Sequence, residues 1–213
     1  MTSTVLTQGS DLKILLLPID ELKPHEKGSP LYLELLRKEI LRDGVLKYPI
    51  IADEKTNVIL DGMHRWLALV SLGYRLIPVI LVDVFQSLRI RVGKRRIQRY
   101  ISHPEEEIPI EKVISAGLNG RLMRPRSTRH FFPFSKFQQI NYPLHLLRKR
   151  ASKDVSKYLA EMTKEECNLA IKEWMEEISE ELEFLTKRKV DAEKELQEFL
   201  NRVKNLNDNL PSS

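Results

Sequence analysis

Apolar runs alternate with amphipathic segments along residues 12–84. The apolar runs are bounded by turn-forming residues, and we predict strands at 12–19, 48–53, 58–60 and 76–84. Residues 31–44 carry apolar side chains on one helical face and end at a glycine. Residues 63–73 also end at a glycine, so both segments are predicted helices. Strands that alternate with helices indicate a mixed α/β fold.

The pattern is less regular after residue 84. Two short helices are predicted at 94–102 and 110–119, with an acidic linker between them. Residues 119–134 are polar, basic and contain proline, which predicts a loop.

The chain is rich in Glu, Lys and Leu from about residue 164 and has no Gly or Pro until Pro211. A row of positions at alternating spacings of four and three residues is apolar, except for one lysine, Lys189. The row comprises Ile171, Met175, Ile178, Leu182, Leu185, Lys189, Ala192, Leu196, Phe199, Val203 and Leu206. A period of about 3.5 residues is typical of a coiled coil. The predicted long helix either forms a homodimer through residues 165–207, or packs against a helix of another partner, or folds back on a helix at 145–162.

A chain of 213 residues suffices for one substantial domain and an appendage, or for two small domains. We predict a functional domain at residues 1–147 and a helical extension at 148–213. No apolar run approaches the ~18 residues of a membrane span. The N-terminus lacks the pattern of a secretory signal, and Cys167 has no second cysteine with which to pair. These features favour a soluble, cytoplasmic protein.

The net charge of +5 is unevenly spread: residues 1–130 hold 21 basic and 15 acidic side chains. The basic excess peaks in RIRVGKRRIQR at residues 89–99. Nucleotide phosphates or nucleic acid are plausible partners of such a surface. A solvated basic helix face is the alternative.

The segment VILDGMHRWLAL places Asp61 and Gly62 where a predicted strand meets a helix. The free N–H groups of a helix start favour an anion, and His64 and Arg65 add side-chain donors. Asp61 could bind a metal or accept a proton. Alternatively Asp61 only caps the helix, and His64 and Arg65 are exposed surface residues.

Two loops carry further candidate chemistry. Glu26, in LKPHE, could serve as a general base at the end of a strand, or could simply be solvated. The segment RPRSTRH at 124–130 could bind a carboxylate, a phosphate or a nucleic-acid backbone. A flexible basic loop is the alternative for that segment.

LKPHE, ILDGMHR and STRH, in this order, resemble segments of the ParB/sulfiredoxin superfamily, most closely the archaeal free serine kinases. The resemblance implies a small mixed sheet with flanking helices, to which this chain adds the long helix. It also implies phosphorylation of L-serine with ADP or ATP and Mg²⁺. Sulfiredoxin chemistry needs a cysteine thiolate where this chain has Met63, so that activity is excluded.

The resemblance also implies roles for individual residues. Glu26 would take the proton of the serine hydroxyl, and Asp61 would be the second catalytic residue and the metal ligand. The implied phosphate-binding residues are Gly62, Met63, His64 and Arg65. The implied substrate-binding residues are Thr128, Arg129 and His130.

The leading interpretation is therefore a small-molecule kinase that acts on free serine or a similar hydroxylated metabolite. The alternative is a ParB-like, nucleotide-dependent DNA-binding or segregation protein, which the basic stretch and a dimerising helix would favour. The choice of ADP or ATP and the identity of the acceptor stay open. So does the completeness of the site, because residues 85–123 look short for a kinase of this kind.

Overall fold

The structure is a computed structural model that describes residues 4–5, 13–87, 90–94, 107–134, 136 and 139–208. The chain divides into two compact units, Met1–Asn168 and Leu169–Ser213. Residues 148–168, which the sequence analysis assigned to the helical extension, therefore group with the first unit. Where the functional domain ends stays a prediction.

The predicted mixed α/β fold with a long C-terminal helix is confirmed. The described helices are α1 (Pro30–Asp43), α2 (Met63–Ser71), α3 (Ile110–Asn119) and α4 (Lys164–Asp208). The described strands are β1 (Thr4–Val5), β2 (Ile14–Pro18), β3 (Val45–Leu46), β4 (Ile50–Asp53), β5 (Ile59–Asp61), β6 (Leu76–Val82), β7 (Arg91–Lys94), β8 (Thr128–Phe131) and β9 (Tyr142–Pro143). None of these helices is long and apolar enough to cross a membrane.

The ends of α1 follow from its sequence. The Ser29 hydroxyl accepts a hydrogen bond from the Tyr32 amide, and Pro30 occupies the first turn, where its missing N–H is not needed. Gly44 ends the helix in the left-handed region, with φ 66°.

The main described sheet has the strand order β1-β2-β6-β4-β5. The β4–β6 pair is parallel, and the other pairs in this sheet are antiparallel. Side chains alternate between the faces of β6: Ile77 and Val79 pack in the core cluster that includes α1 and α2, whereas Ile80 packs in the cluster that includes α3. Both faces of the sheet are therefore covered, and the candidate site lies where loops leave its strands.

The predicted loop at 119–134 is wrong in its last part, because Thr128–Phe131 form β8 and pair antiparallel with β7. The basic, proline-containing composition hid a strand whose partner lies far away in sequence. Residues 91–94 of the basic stretch form β7. The helix predicted at 94–102 lies outside the described residues beyond Lys94.

The predicted helix at 145–162 is also wrong. Two short 3₁₀ turns, Leu144–Leu147 and Ser156–Tyr158, stand in its place. The Asp154 carboxylate accepts the Ser156 amide at 2.9 Å, a local bond that competes with helix formation. The Arg150 amide donates to the Gly73 carbonyl at 2.7 Å, which ties this segment to the end of α2.

Candidate active site

The joint between β5 and α2 places a glycine directly before a helix. Asp61 ends β5, and Gly62 precedes α2 with φ 94°, in the left-handed region. A Cβ atom on Gly62 would lie 2.8 Å from Ile50 Cδ1 and 2.9 Å from Arg65 Nη2, so this turn needs glycine. The first helical bond runs from the Trp66 amide to the Gly62 carbonyl. The N–H groups before Trp66 belong to the open first turn, which attracts anions.

Two cations hold the Asp61 carboxylate. Arg65 Nη2 lies 2.5 Å from Oδ2, and Lys136 Nζ lies 3.2 Å from Oδ1. Burial by itself raises the pKa of Asp61, but the Arg65 and Lys136 charges outweigh burial and lower this pKa below its ordinary value. Arg65 also donates to the Pro49 carbonyl. Asp61 is therefore ionised and forms ion pairs with Arg65 and Lys136, and these contacts hold Arg65 at the first turn of α2.

Met63 and His64, between Gly62 and Arg65, have different surroundings. The Met63 side chain is buried in the core, so only its backbone can contribute to anion binding. His64 Nε2 accepts the Ser29 amide at 2.8 Å, which links the start of α2 to the start of α1. Burial and the Arg126 and Arg65 charges lower the pKa of His64 to about 4, so its imidazole is neutral.

The segment with Glu26 runs as an extended piece between two other parts of the chain. The Lys23 amide donates to the Asn57 carbonyl at 2.9 Å, beside the start of β5. Further along, the Met123 amide donates to the His25 carbonyl, and the Lys27 amide donates to the Met123 carbonyl, each at 2.9 Å. These backbone bonds fix the position of Glu26 relative to both β5 and the segment that leads into β8.

The Glu26 carboxyl is buried, with 8% of the residue exposed. Its Oε2 lies 3.4 Å from Thr128 Oγ1 and 4.0 Å from His25 Nε2. Burial raises the pKa of Glu26 to about 7, although backbone N–H groups at Arg126, Ser127 and Thr128 act in the opposite direction, as a hydrogen bond from the Thr128 hydroxyl would. A carboxyl with such a pKa can take a proton near neutral pH.

His25 connects β5 to β8 through both ring nitrogens. Nδ1 lies 2.5 Å from the Ile59 carbonyl oxygen, and Nε2 lies 2.9 Å from Thr128 Oγ1. Burial lowers the pKa of His25 to about 4, so the ring is neutral at pH 7. His25 therefore positions the predicted substrate residue Thr128 beside the predicted base.

The strand β8 divides the three predicted substrate residues between its two faces, since successive side chains of a strand alternate. Thr128 and His130 lie on the side of His25, and the His25 and His130 rings meet edge to face at 5.3 Å. Burial lowers the pKa of His130 to about 3, and its Nε2 has no hydrogen-bond partner among the described residues. The Arg129 guanidinium lies 5.6 Å from the centre of the Phe131 ring.

A different arginine of the same loop lies nearer to the helix start. The Arg126 charge acts on both Tyr32 and His64 and lowers the pKa of His64. Arg126 also has a positive φ of 53°, an uncommon value outside glycine and asparagine. Arg126 is therefore better placed than Arg129 to face an anion bound at α2.

The structure brings the three predicted segments together. Glu26 contacts Thr128, and Asp61 acts electrostatically on both His25 and His130. Two contributions to the site were not predicted from the sequence: His25 links two strands, and Lys136 is the second cation on Asp61. Lys136 carries no sequence signal, since it is a single lysine in an aromatic loop. His25 is visible as part of LKPHE, but only the fold shows what it touches.

A magnesium site made by the protein alone is not found in the part of the chain that the structure describes. No group of three or more His, Cys, Asp or Glu side chains there could hold a metal ion. Mg²⁺ at nucleotide sites typically takes one or two carboxylates, with phosphate and water oxygens as further ligands. Asp61 offers one such carboxylate, and a metal ion there would take the place of Arg65 or Lys136 on one of its oxygens.

Comparison with known proteins finds relatives in two groups, while no family model matches the chain. The chain is 33% identical to an ATP-dependent L-serine kinase from Staphylothermus marinus over 104 residues, which cover 46% of this chain and 41% of the relative. It is 34% identical to a ParB-like protein from Sulfolobus acidocaldarius over 103 residues, which cover 47% of this chain and 49% of the relative. The matches thus span less than half the length of these curated relatives.

The same likeness appears among solved structures. A free serine kinase in complex with AMP superimposes with a TM-score of 0.54 at 17% identity, over 66% of this chain and 98% of the other. At this identity the match establishes the fold. The predicted resemblance is thereby confirmed: the chain is similar in sequence to L-serine kinases and a ParB-like protein, and it shares its fold with a free serine kinase.

Proposed function

We propose that the protein is a small-molecule kinase that transfers a phosphoryl group from ADP or ATP to the hydroxyl of free L-serine. The observation that carries this proposal is the position of Glu26. The buried carboxyl of Glu26, with a pKa of about 7, lies against β8. The charge of Asp61 acts on His25 and His130, which lie on the same side of β8. The sequence similarity to L-serine kinases supports the choice of reaction.

Phosphoryl transfer needs a positioned hydroxyl and positive charge around the transferred group more than it needs covalent help. The open first turn of α2 and Arg65 would bind the nucleotide phosphates, and Arg126, whose charge acts on Tyr32 and His64, would add positive charge. Glu26 would accept the proton of the serine hydroxyl while the serine oxygen attacks the terminal phosphorus of the nucleotide. The bond from that phosphorus to its bridging oxygen breaks, and AMP leaves from ADP or ADP leaves from ATP. Mg²⁺, bound by Asp61 and the phosphates, would neutralise charge on the nucleotide.

The acceptor would lie along the inner face of β8. His130 Nε2, buried and without a partner among the described residues, suits a polar group of the amino acid. Arg129 lies on the other face of β8, and its role as the ligand of the serine carboxylate stays a prediction.

The test is direct conversion. The protein is incubated with L-serine, MgCl₂ and either ADP or ATP, and O-phosphoserine is measured by ³¹P NMR. Glu26→Gln is expected to lower the rate by about 10²-fold or more, because general-base catalysis contributes roughly that factor. Nucleotide binding, measured by calorimetry, is expected to persist in this variant.

Glu21→Gln is the matched control, because Glu21 is an exposed glutamate on the same connection between β2 and α1. This variant is expected to keep wild-type activity. A wild-type protein that makes no phosphoserine with either nucleotide, but binds duplex DNA in a salt-sensitive way, would support the ParB-like alternative instead.

We also propose that α4 pairs with α4 of a second copy of this chain. Heptad positions Met175, Ile178, Leu182 and Leu196 expose 46–64% of their surface in the single chain. A repeat of about 3.5 residues matches a like helix that supercoils around it. Lys189, which interrupts the seam and is paired with Glu193 at 3.7 Å, is long enough to reach solvent at the edge of such a seam.

A further inference from the structure

The Thr128 hydroxyl lies between two hydrogen-bond acceptors but has one proton. Its Oγ1 is 2.9 Å from His25 Nε2 and 3.4 Å from Glu26 Oε2. Hydroxyl hydrogen bonds weaken steeply with distance, so the shorter contact takes the proton if His25 can accept it.

The other nitrogen of His25 decides this point. Nδ1 lies 2.5 Å from the Ile59 carbonyl oxygen, and a carbonyl can only accept, so Nδ1 carries a hydrogen. A neutral imidazole has one N–H, and burial keeps His25 neutral at pH 7. Its Nε2 therefore presents a lone pair, and Thr128 donates to it.

We propose that His25 is a positioning residue that draws the Thr128 hydroxyl proton away from Glu26 and so leaves the Glu26 carboxyl short of a hydrogen-bond donor. Oε2 of Glu26 then faces a lone pair of Thr128 Oγ1, which disfavours the ionised carboxylate and favours its protonated form. The hydrogen-bond arrangement stands by itself. Its value for proton abstraction rests on the proposed kinase function.

A substitution of His25 removes its own Nε2 from the surroundings of Glu26 but leaves the backbone groups there chemically unchanged. Backbone N–H groups at Arg126, Ser127 and Thr128 act on the carboxylate from the segment that enters β8. His25 Nε2 itself lies 4.0 Å from Oε2, and the neutral His130 ring lies behind His25 at 5.3 Å. A change in the Glu26 pKa after substitution of His25 can therefore be traced to Thr128 by a second substitution.

The experiment measures the Glu26 pKa directly by ¹³C NMR of carboxyl-labelled glutamate, with the resonance assigned from Glu26→Gln. In His25→Asn the short amide can still donate to Ile59 but cannot reach Thr128. The hydroxyl is then free to donate to Glu26, and we expect the Glu26 pKa to fall by about one pH unit. In His25→Gln the longer side chain accepts from Thr128 again, and the pKa is expected to stay near its wild-type value.

A double-mutant cycle between His25 and Thr128 separates this role from a merely structural one. In the Thr128→Val background, His25→Asn is expected to leave the Glu26 pKa unchanged, because no hydroxyl remains to be redirected. An equal fall in both backgrounds would overturn the proposal. Thr128→Val alone, which does not depend on the folding of any His25 variant, must not raise the Glu26 pKa, since a rise would show that Thr128 normally donates to Glu26.

The pH dependence of kcat/KM links the inference to catalysis. The acidic limb of the profile is expected to move to lower pH in His25→Asn by the shift that NMR records. If the NMR shifts appear as expected but no phosphoserine is formed, the hydrogen-bond arrangement stands and the proposed function fails. If phosphoserine is formed but the NMR shifts are absent, the proposed kinase function is supported and the proposed positioning role of His25 is rejected.

Discussion

Burial of Glu26 has a consequence for stability that does not depend on catalysis. Its pKa rises from 4.5 to about 7 on folding, so the folded protein binds the proton more tightly than the unfolded chain. This contribution is fully present below about pH 4.5 and is lost as the pH rises through 7. Above pH 7 the protein must keep a buried charge that the unfolded chain would leave in water.

Glu26→Gln is therefore expected to raise the free energy of unfolding at pH 8 by up to about 3 kcal/mol, with little change at pH 4. Urea unfolding of both proteins at the two pH values measures the difference. The exposed control Glu21→Gln should show no such pH-dependent gain. Equal stabilities of wild type and Glu26→Gln at pH 8 would contradict a raised pKa.

Gly62 offers a second test at the scale of one residue. Gly62 and Gly44 both have positive φ, but a Cβ atom meets Ile50 and Arg65 at the first and nothing within 4 Å at the second. Gly44→Ala should cost about 1 kcal/mol of backbone strain. Gly62→Ala should cost about 1–3 kcal/mol more, because the new methyl group also displaces its neighbours. Chemical denaturation of both variants gives the comparison, and equal losses would exclude the steric argument.

At this scale the sequence reveals types of residue but not their orientation. Asp61, Gly62 and Arg65 could be predicted as a unit because they are adjacent and fall on a strand–helix joint. Arg129 was the arginine predicted from the sequence, but the structure puts the charge of Arg126, which precedes β8, within reach of His64 and sets Arg129 beside the Phe131 ring. Lys136 could not be found, since its contact with Asp61 spans 75 residues of chain.

Among the elements, the strongly periodic ones were predictable and the short ones were not. Glycines at both ends predict α2, and a heptad repeat of apolar residues predicts α4. β8 has four residues and takes its hydrogen bonds from β7, so its existence depends on a partner that local sequence does not specify.

The apolar seam of α4 can be tested in the full-length chain. Met175→Gln together with Leu182→Gln should convert a concentration-dependent dimer into a monomer, because both side chains occupy the proposed seam. Sedimentation velocity at several protein concentrations measures the change.

The matched control is Glu180→Gln together with Lys187→Gln, which alters the opposite face of the same helix and keeps the net charge. This control should sediment as the wild type does. A wild-type chain that stays monomeric at all concentrations would refute pairing through α4.

For the molecule as a whole, the buried neutral His25 and His130 and the partly buried neutral His64 predict sensitivity to acid. Burial lowers the pKa values of His25 and His64 to about 4 and that of His130 to about 3, from 6.5. The unfolded chain binds these protons first, so the stabilisation present above pH 6.5 is lost as the pH falls toward 4.

The free energy of unfolding, measured by urea at a series of pH values, should therefore fall between pH 6.5 and pH 4. His64→Gln can still accept the Ser29 amide but does not titrate, so its slope over this range should be smaller. His145→Gln, at an exposed position, should keep the wild-type slope. Parallel slopes in all three proteins would show that folding does not lower the pKa of His64.

The whole-molecule architecture was predictable as a class because the alternation of strands and helices extends over residues 12–84. Strand order was not, since β6 pairs with both β2 and β4 and the sequence does not say which strands it separates. The grouping of residues 148–168 with the first unit also depends on distant backbone contacts, such as the bond from the Ala160 amide to the Gly28 carbonyl at 2.9 Å.

The pairing of His25 and Lys27 with Met123 has a consequence during synthesis. A nascent chain that ends near residue 100 lacks Met123 and β8, which border Glu26 in the folded protein. We therefore expect Glu26 to be exposed in that nascent chain, with a pKa near the ordinary value for glutamate. The side chain acquires its proton affinity when residue 123 and β8 emerge and close over it. Glu26 would thus become an effective base only after β8 has folded against it, well after Glu26 itself has been synthesised.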